Sequence, residues 1–525
     1  MNNCFDIAIV GSGFAGSLLA MIARKQGRSV VLIEKGTHPR VVIGESSTPL
    51  SNLLLEEIAT QYDLPELLPL TKWGSWQQSY PEMACGLKRG FTFHHHVLGQ
   101  PSAPRADRQD QLLVAASPHD RIADTHWYRA DFDHFFLQQA QRLGAGYVDE
   151  VALSSFLDFG DRVQLEGQRR NESVKFTAKF VVDATGPRGF LHRALGLGEL
   201  PLPDMPRTQA LFNHFTGVGR LAEGDHHRTV ETPPYPIDDA AVHHVFQGGW
   251  VWVLQFNNGI TSAGVAASDE VAAKLDLASA AAGWHRLLEM IPALKQQFAS
   301  AKPERSFTHA AELGFRSARV NGDKWAMLPS AAGFVDPLLS TGFPLTLLGV
   351  SRLAAVLERD WGSDRLAASL ERYAHVTDAE LVAASRLIGA LYQNMDNFPA
   401  FVSLSLLYFA AASFSETARR LNKPHLAPSF LLHDHARFGP ACGEVFERAM
   451  RLRTRSDSLK LTQDILRAIE PINVAGLRNA ARRNWYPVDA EDLLCAAHKL
   501  DASREDILAL LDRCGFSTES IVAAY

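Results

Sequence analysis

Five cysteines in 525 residues, Cys4, Cys85, Cys442, Cys495 and Cys514, are too few and too scattered for a disulfide framework. They form no CxxC pair, so no metal site is expected, and the usage fits a cytoplasmic protein. Basic excess is absent too. Lys and Arg number 52 against 58 Asp and Glu, a net charge of −6 with His neutral, which argues against nucleic acid and against an anionic membrane surface as partners. No apolar run reaches the roughly 20 residues of a membrane span. The most apolar stretch, Phe398–Phe414, is broken by Ser403, Ser405 and Ser413 and reads as a buried helix. The opening Met1-Asn2-Asn3 has no basic segment followed by a cleavable apolar one, so secretion is not expected. Internal repeats and low-complexity tracts are also missing. The length leaves room for two to four domains, or for one large core with an appended piece.

What is present begins at once. Asp6-Ile-Ala-Ile-Val10 is a short buried strand, Ser17–Gln26 reads as a helix stopped at Gly27, and Ser29–Ile33 is a second strand ending at Glu34. Between strand and helix lies Gly11-Ser-Gly-Phe-Ala-Gly16. A GxGxxG is weak evidence alone, but here it has the strand before it, the helix after it and the acid beyond. Gly11 permits the tight turn, Gly13 lets backbone N–H groups approach a pyrophosphate, and Gly16 lets helix and strand pack closely. Phe14 and Ala15 complete the turn, and Lys35 follows the acid. The helix N-terminus faces the phosphate charge. Glu34 is placed to accept hydrogen bonds from ribose hydroxyls and disfavours an extra 2′-phosphate. Asp183-Ala-Thr-Gly186 ends another hydrophobic strand, as a second flavin-side turn does in many FAD enzymes. A second GxGxxG opening a β-α-β unit is not visible, so FAD is favoured over a dedicated NAD(P)H domain.

The rest of the pattern predicts an α/β protein. A Rossmann-type FAD-binding fold over 1–350 is interleaved with an inserted sheet-based substrate domain, whose segments are about 69–126 and 208–315. A mostly helical C-terminal region covers 351–525. Helices are expected over Asp131–Leu143 and near Leu275–Met290, and strands over Tyr147–Leu157, Val163–Glu166 and Val174–Val182.

Six blocks then occur in order: Gly44-Glu-Ser-Ser-Thr-Pro49, Gly86-Leu-Lys-Arg-Gly-Phe91, Trp127-Tyr-Arg-Ala-Asp131, Val182-Asp-Ala-Thr-Gly-Pro-Arg188, His243-His-Val-Phe-Gln-Gly-Gly-Trp-Val-Trp-Val253 and Gly333-Phe-Val-Asp-Pro-Leu-Leu-Ser-Thr-Gly342. Together they resemble the FADH2-dependent halogenases, over about residues 5–400. The likeness is to the branch acting on pyrrole or phenol-like rings, the aminopyrrolnitrin type, rather than to the free-tryptophan branch. The resemblance implies a two-component reaction. A separate flavin reductase supplies FADH2, oxygen and chloride or bromide give hypohalous acid, and a lysine guides or captures it for an electron-rich ring, free or carrier-bound. It also implies that Gly44, Glu45, Ser46, Ser47, Arg129, Asp183, Gly186 and Asp336 contact the flavin cofactor.

Lys88 stands at the position of that lysine. An amine can hydrogen-bond hypohalous acid or form a haloamine, which Arg cannot do because it does not deprotonate readily. Burial among Gly86, Gly90, Phe91 and Phe93 would favour the neutral, nucleophilic form. A solvated surface charge is the alternative for any single lysine. Ser340-Thr341-Gly342 resembles the halide-binding turn, where backbone N–H groups hold an anion; a helix N-cap suits the same residues. Trp250 and Trp252 resemble the pair that keeps substrate from the flavin, and spacing by two puts both rings on one strand face, which core packing would also explain.

Three positions depart from the family pattern. Gln255 replaces the proline of WxWxIP, Leu339 stands where the tryptophan branch carries glutamate, and Pro329-Ser330 replaces the usual Gly-Asp. Direct oxygen insertion by a flavin monooxygenase, or a non-catalytic flavin-binding role, therefore stay open beside halogenation. His94-His-His96 cannot all face one ion from a strand, but one of them, or His243 or His244, could deprotonate a phenol. Two basic clusters, Arg448, Arg451, Arg453 and Arg455, then Arg478, Arg482 and Arg483, read as solvated helix faces.

Overall fold

The computed structural model describes residues 4–101, 105, 107–223, 231–452 and 454–516. The apolar opening run forms β1 (Cys4–Val10), the glycine turn leads into α1 (Phe14–Lys25), and β2 (Val30–Ile33) follows. The chain then makes α2 (Pro49–Gln61), β3 (Cys85–Lys88), β4 (Gly90–His95), β5 (Gln111–Ala115) and β6 (Asp124–Trp127). A helix over Arg129–Arg142 precedes β7 (Gly146–Val148), β8 (Val151–Asp158), β9 (Val163–Arg169) and β10 (Glu172–Asp183). The central sheet pairs β10, β1, β2 and β7 in parallel, with Trp325–Met327 parallel to β10. β2, the second half of β1 and the end of β10 are near-continuous buried apolar runs, as strands covered on both faces require.

The second sheet holds β11 (Thr208–Thr216), β12 (Ala241–Phe246), β13 (Gly249–Gln255) and β14 (Ile260–Ser268) with β4 and β5. Side-chain alternation sorts its residues into two cores. Phe91, Phe93, Ala241, Val245, Trp250, Trp252 and Leu254 pack into the large core shared with the nucleotide fold. Leu113, Val242, Phe246, Val251 and Val253 pack on the other side, against Trp284, Leu287 and Phe298. The helix expected near Leu275–Met290 is two helices, Asp269–Leu275 and Ala281–Met290. Asp276 and Ala280 take positive φ between them, and Gly283 fits where a Cβ would meet the Asp276 carbonyl at 2.5 Å.

The C-terminal region does more than append helices. Trp485–Tyr486 pairs in parallel with β5 and so extends the second sheet. The long helix Phe398–Arg420 lies buried against the Phe91–Phe93 face, with Phe409 edge-on to Phe91 at 5.3 Å between centroids. By length and composition this helix and Leu338–Asp360 could cross a membrane, but 83% and 72% of their apolar windows are buried within the protein. Three basic side chains of the tail are paired: Arg448 with Asp464, Arg482 with Asp489 at 2.7 Å and Arg483 with Glu231 at 2.9 Å. Arg453 lies outside the described residues.

Candidate active site

The glycine turn is shaped as its residues require. Gly11 has φ of +99°, and a Cβ on Gly16 would fall 2.1 Å from the Gly11 carbonyl. The N-cap residue Gly13 offers no side chain to the first turn of α1, although Phe14 N donates to Asp133 Oδ1 at 3.3 Å, and Gly13, Phe14, Ala15 and Gly16 line a cavity of about 260 Å³. Gly44, Glu45, Ser46, Arg129, Gly186, Asp336, Ser340, Thr341, Gly342, Trp250 and Trp252 line the same cavity. Arg129 is buried, grips Asp133 through two hydrogen bonds of 2.7 and 2.8 Å, and donates to the Gly44 carbonyl at 3.0 Å.

Other expected cofactor residues lie elsewhere. Lys35 is exposed and does not line the cavity, because it sits past the end of β2 where the chain turns to solvent. Asp183 is fully buried, and its carboxylate accepts from Thr185 N, Thr185 Oγ1 and Leu191 N. It therefore shapes the Ala184–Gly186 turn rather than facing the cavity. Ser47 donates to the Thr125 carbonyl at 2.7 Å and offers its own carbonyl to Lys88. Glu34 is buried beside the glycine turn, taking hydrogen bonds from Ser12 N at 2.9 Å and Gly36 N at 3.1 Å. Arg40, 3.6 Å from Glu34, lines the cavity; no motif pointed to it.

Asp336 joins the halide-type turn to the tryptophan wall. Its carboxylate accepts from Leu338 N (2.9 Å), Trp250 Nε1 (3.2 Å) and Tyr392 Oη (2.9 Å). Burial without a cation pushes the Asp336 carboxyl up to about 6. Leu339 and Ser340 both take positive φ, +62° and +54°, an arrangement costly for side-chain-bearing residues and common where the backbone N–H groups are put to use. Thr341 stands at the N-cap position of the helix Gly342–Asp360, so the turn and the helix start coincide. The Trp250 and Trp252 rings lie 5.7 Å apart, and Gly264 on the neighbouring strand leaves the Trp252 indole its space. Gln255, in the place of the family proline, is outside the cavity lining and accepts from Arg220 at 3.4 Å.

Lys88 ends β3 with its side chain fully buried. Its ammonium nitrogen donates to Ser46 Oγ at 2.9 Å and to the Ser47 carbonyl, and sits 3.8 Å over the Phe91 ring. Ser46 lines the first cavity. Phe91 lines a second, apolar one of about 210 Å³, together with Thr48, Tyr408, Phe409, Glu416 and Tyr486. Lys88 itself lines neither cavity, but its contacts Ser46 and Phe91 line one each, so the amine is buried between residues of the two. Antiparallel pairing of β3 with β6 sets Asp124 opposite it, and Asn52 donates to Asp124 Oδ1 at 2.8 Å while Oδ2 is buried without a partner. Burial pulls the Lys88 amine well below the usual lysine range, against the opposing charge of Asp124, and pushes the Asp124 carboxyl up.

None of the histidines singled out in the sequence lines the apolar cavity. His243 lines the first cavity, stacked on Phe93 at 4.5 Å, and burial with the Lys88 charge holds its imidazole down at about 3. His95 and His96 open on a separate groove. Sequence reading missed Asp124, Asn52, Asp133, Arg40 and Glu416. Only Asp133 had a local signal, four residues after Arg129 on one helix face.

A single-amine partition between a nucleotide-type cavity and an apolar one defines a two-compartment flavoprotein of the Rossmann class. A family model described as tryptophan halogenase matches residues 117–398, and one described as NAD(P)-binding Rossmann-like domain matches 9–47. The chain belongs to this halogenase family. It is 32% identical over 381 residues to monodechloroaminopyrrolnitrin halogenase PrnC of Pseudomonas fluorescens, covering 71% of this chain and 65% of that protein, so the match falls just short of two thirds of that relative's length. It is 28% identical to tetracycline 7-halogenase of Kitasatospora aureofaciens, over 80% of this chain and 75% of that one. In fold it is similar to halogenase PltM crystallised with phloroglucinol and FAD, at 23% identity and a TM-score of 0.77, covering 91% of this chain and 99% of that one.

Proposed function

We propose that the protein is an FADH2-dependent halogenase of an electron-rich aromatic ring, with Lys88 as the group that carries the electrophile between compartments. The observation that carries this reading is the buried amine with Ser46 of one cavity on one side and Phe91 of the other beneath it. The residues present fit FAD. The first-turn N–H groups of α1 other than Phe14 N, which donates to Asp133 Oδ1, and Arg40 offer donors for a pyrophosphate, and Glu45, held by His214 at 2.9 Å, keeps Oε2 buried and without a partner in the cavity wall. Bound FADH2 would supply, with oxygen, the two-electron oxidation that turns chloride or bromide into hypohalous acid.

The protein's own groups do the rest. In the Leu339–Gly342 turn Ser340 N is taken by the Pro337 carbonyl at 3.0 Å, and the N–H groups of Thr341 and Gly342 serve the halide. Trp250, Trp252 and His243 wall off the first cavity and exclude the ring. Lys88, its charged form disfavoured by burial, accepts or hydrogen-bonds the electrophile and delivers it past Phe91. The carrier-bound or free state of the aromatic substrate belongs to this proposal, as do a separate reductase and a cytoplasmic setting, which the five unpaired thiols support. PrnC and the tetracycline enzyme, both acting on aromatic compounds by name, favour a phenol, pyrrole or arylamine over free tryptophan. The test is a panel of such rings incubated with a generic flavin reductase, oxygen and bromide. Brominated product by mass spectrometry is expected; hydroxylated product indifferent to bromide would establish direct oxygen insertion instead.

A further inference from the structure

We infer that Glu416 is the general base of the apolar cavity, and that the substrate ring carries an O–H or N–H donated to it. The assignment rests on the halogenase reading above. The helix Phe398–Arg420 lays Tyr408, Phe409, Ala412, Ser413, Glu416 and Arg420 along the cavity, a stripe with helical spacing. Tyr408, Phe409 and Ala412 make one end of it apolar, and Glu416 adds to the lining a carboxylate whose side chain is 23% exposed. Arg420 donates to Glu416 Oε1 at 2.8 Å, while Oε2 accepts no hydrogen bond from the described residues. One oxygen is thus anchored and one is free for a ligand.

The other carboxylate in the lining, Asp489, is committed elsewhere: it pairs with Arg482 at 2.7 Å and caps a helix by accepting from Glu491 N at 3.0 Å. The charged and titratable groups around Glu416 and in the same lining include Arg420 on its own helix, Glu56 of α2 (3.8 Å from Arg420), Asp124 of β6, Lys72, Cys514, Tyr408 and Tyr486. Arg420 fixes the orientation of the carboxylate. Leu339, the family's usual glutamate position in the tryptophan branch, supplies no base, and His243 is buried in the other cavity.

The chemistry needs such a group. As the ring carbon attacks the halogen of hypohalous acid or of the Lys88 haloamine, a C–X bond forms and the O–X or N–X bond breaks. Its electron pair leaves with hydroxide or with the amine. Two electrons pass from ring to halogen. Glu416 takes the O–H or N–H proton, which raises the electron density of the ring; the ring C–H proton then passes to the released hydroxide or amine, restoring aromaticity, and Glu416 returns its proton to the oxygen or nitrogen of the product. The sum is ArH plus HOX giving ArX plus water.

Three readouts test this on the full-length enzyme with a flavin reductase. The first compares bromination of a phenol with that of its methyl ether in wild type and E416Q, which keeps an acceptor for Arg420. Wild type is expected to prefer the phenol strongly. E416Q should lose about 10²-fold or more in kcat on the phenol while the slow ether reaction is unchanged. The second is pH: residual E416Q activity should climb toward the pKa of the free phenol, where wild type is level. The third needs no turnover: 4-nitrophenol should bind E416Q about tenfold more weakly than wild type. An unaltered phenol-to-ether ratio in an E416Q that still brominates overturns the assignment alone. A wild type forming neither brominated ring nor hypobromous acid in a soluble trap overturns the halogenase reading and this assignment with it.

Discussion

At the scale of single residues, burial sets the chemistry of the two cavities. Lys88 has no solvent contact and is held by a hydroxyl and a carbonyl, neither of which neutralises an ammonium. Its nearest opposite charge, Asp124, is itself disfavoured as an anion, so the pair gains little by ionising. Asp336 makes the same point on the flavin side. Its folded value of about 6 lies above the ordinary 3.8, so the folded protein holds that proton more tightly than the unfolded chain does. The resulting stabilisation is full below pH 4 and is lost as pH rises through 6. Asp336→Asn does not titrate, and its Nδ2 would donate to the Tyr392 hydroxyl. The stability of wild type relative to this variant should therefore fall by about 3 kcal/mol between pH 4 and pH 7. Denaturation midpoints of both proteins across that range check it; a difference that stays flat would mean Asp336 does not carry the proton.

At the scale of elements, the nucleotide fold was legible and the apolar cavity was not. The β1–α1–β2 unit announces itself through local rules: β-branched runs, three glycines at fixed spacing, an acid at the end of β2. The tryptophan pair was legible for the same reason, since period two in β13 sorts Trp250 and Trp252 to one face. Lys88 came from the resemblance, because a lone lysine has no local signature. Asp124 and Glu416 were invisible. Asp124 meets Lys88 only through antiparallel pairing of β3 with β6, and Glu416 reaches the cavity on a helix over 300 residues further along the chain. The short strand Trp485–Tyr486 that ties the tail to the second sheet is too brief to show a period. The helices around the site are joined by charges in the same long-range way. Arg352 and Glu380 pair at 2.6 and 2.7 Å, and Glu380, 1% exposed, also accepts from Phe430 N at 2.7 Å. Arg352→Ala leaves that carboxylate buried without its cation and should destabilise the protein by about 3–5 kcal/mol. Thermal unfolding should show a clear loss of midpoint, and an unchanged midpoint would mean water replaces the guanidinium at little cost.

At the scale of the whole molecule, two sheets and a helical tail enclose two compartments that share one amine. The nucleotide sheet and the Asp336 turn build the first. The second sheet, α2 and the tail build the second. In the proposed reading, halide oxidation and ring substitution are separated in space, with Trp250, Trp252 and His243 of the first cavity's lining standing between ring and flavin. This arrangement predicts that the two half-reactions can be uncoupled at Lys88.

The direct measurement gives wild type and Lys88→Ala the same FADH2 supply, oxygen and bromide, with a phenol and a soluble trap for hypobromous acid present together. The account predicts that the variant still forms hypobromous acid, seen in the trap, while enzymatic ring bromination falls by about 10³-fold or more. Ring bromination by Lys88→Ala at the wild-type rate would contradict it.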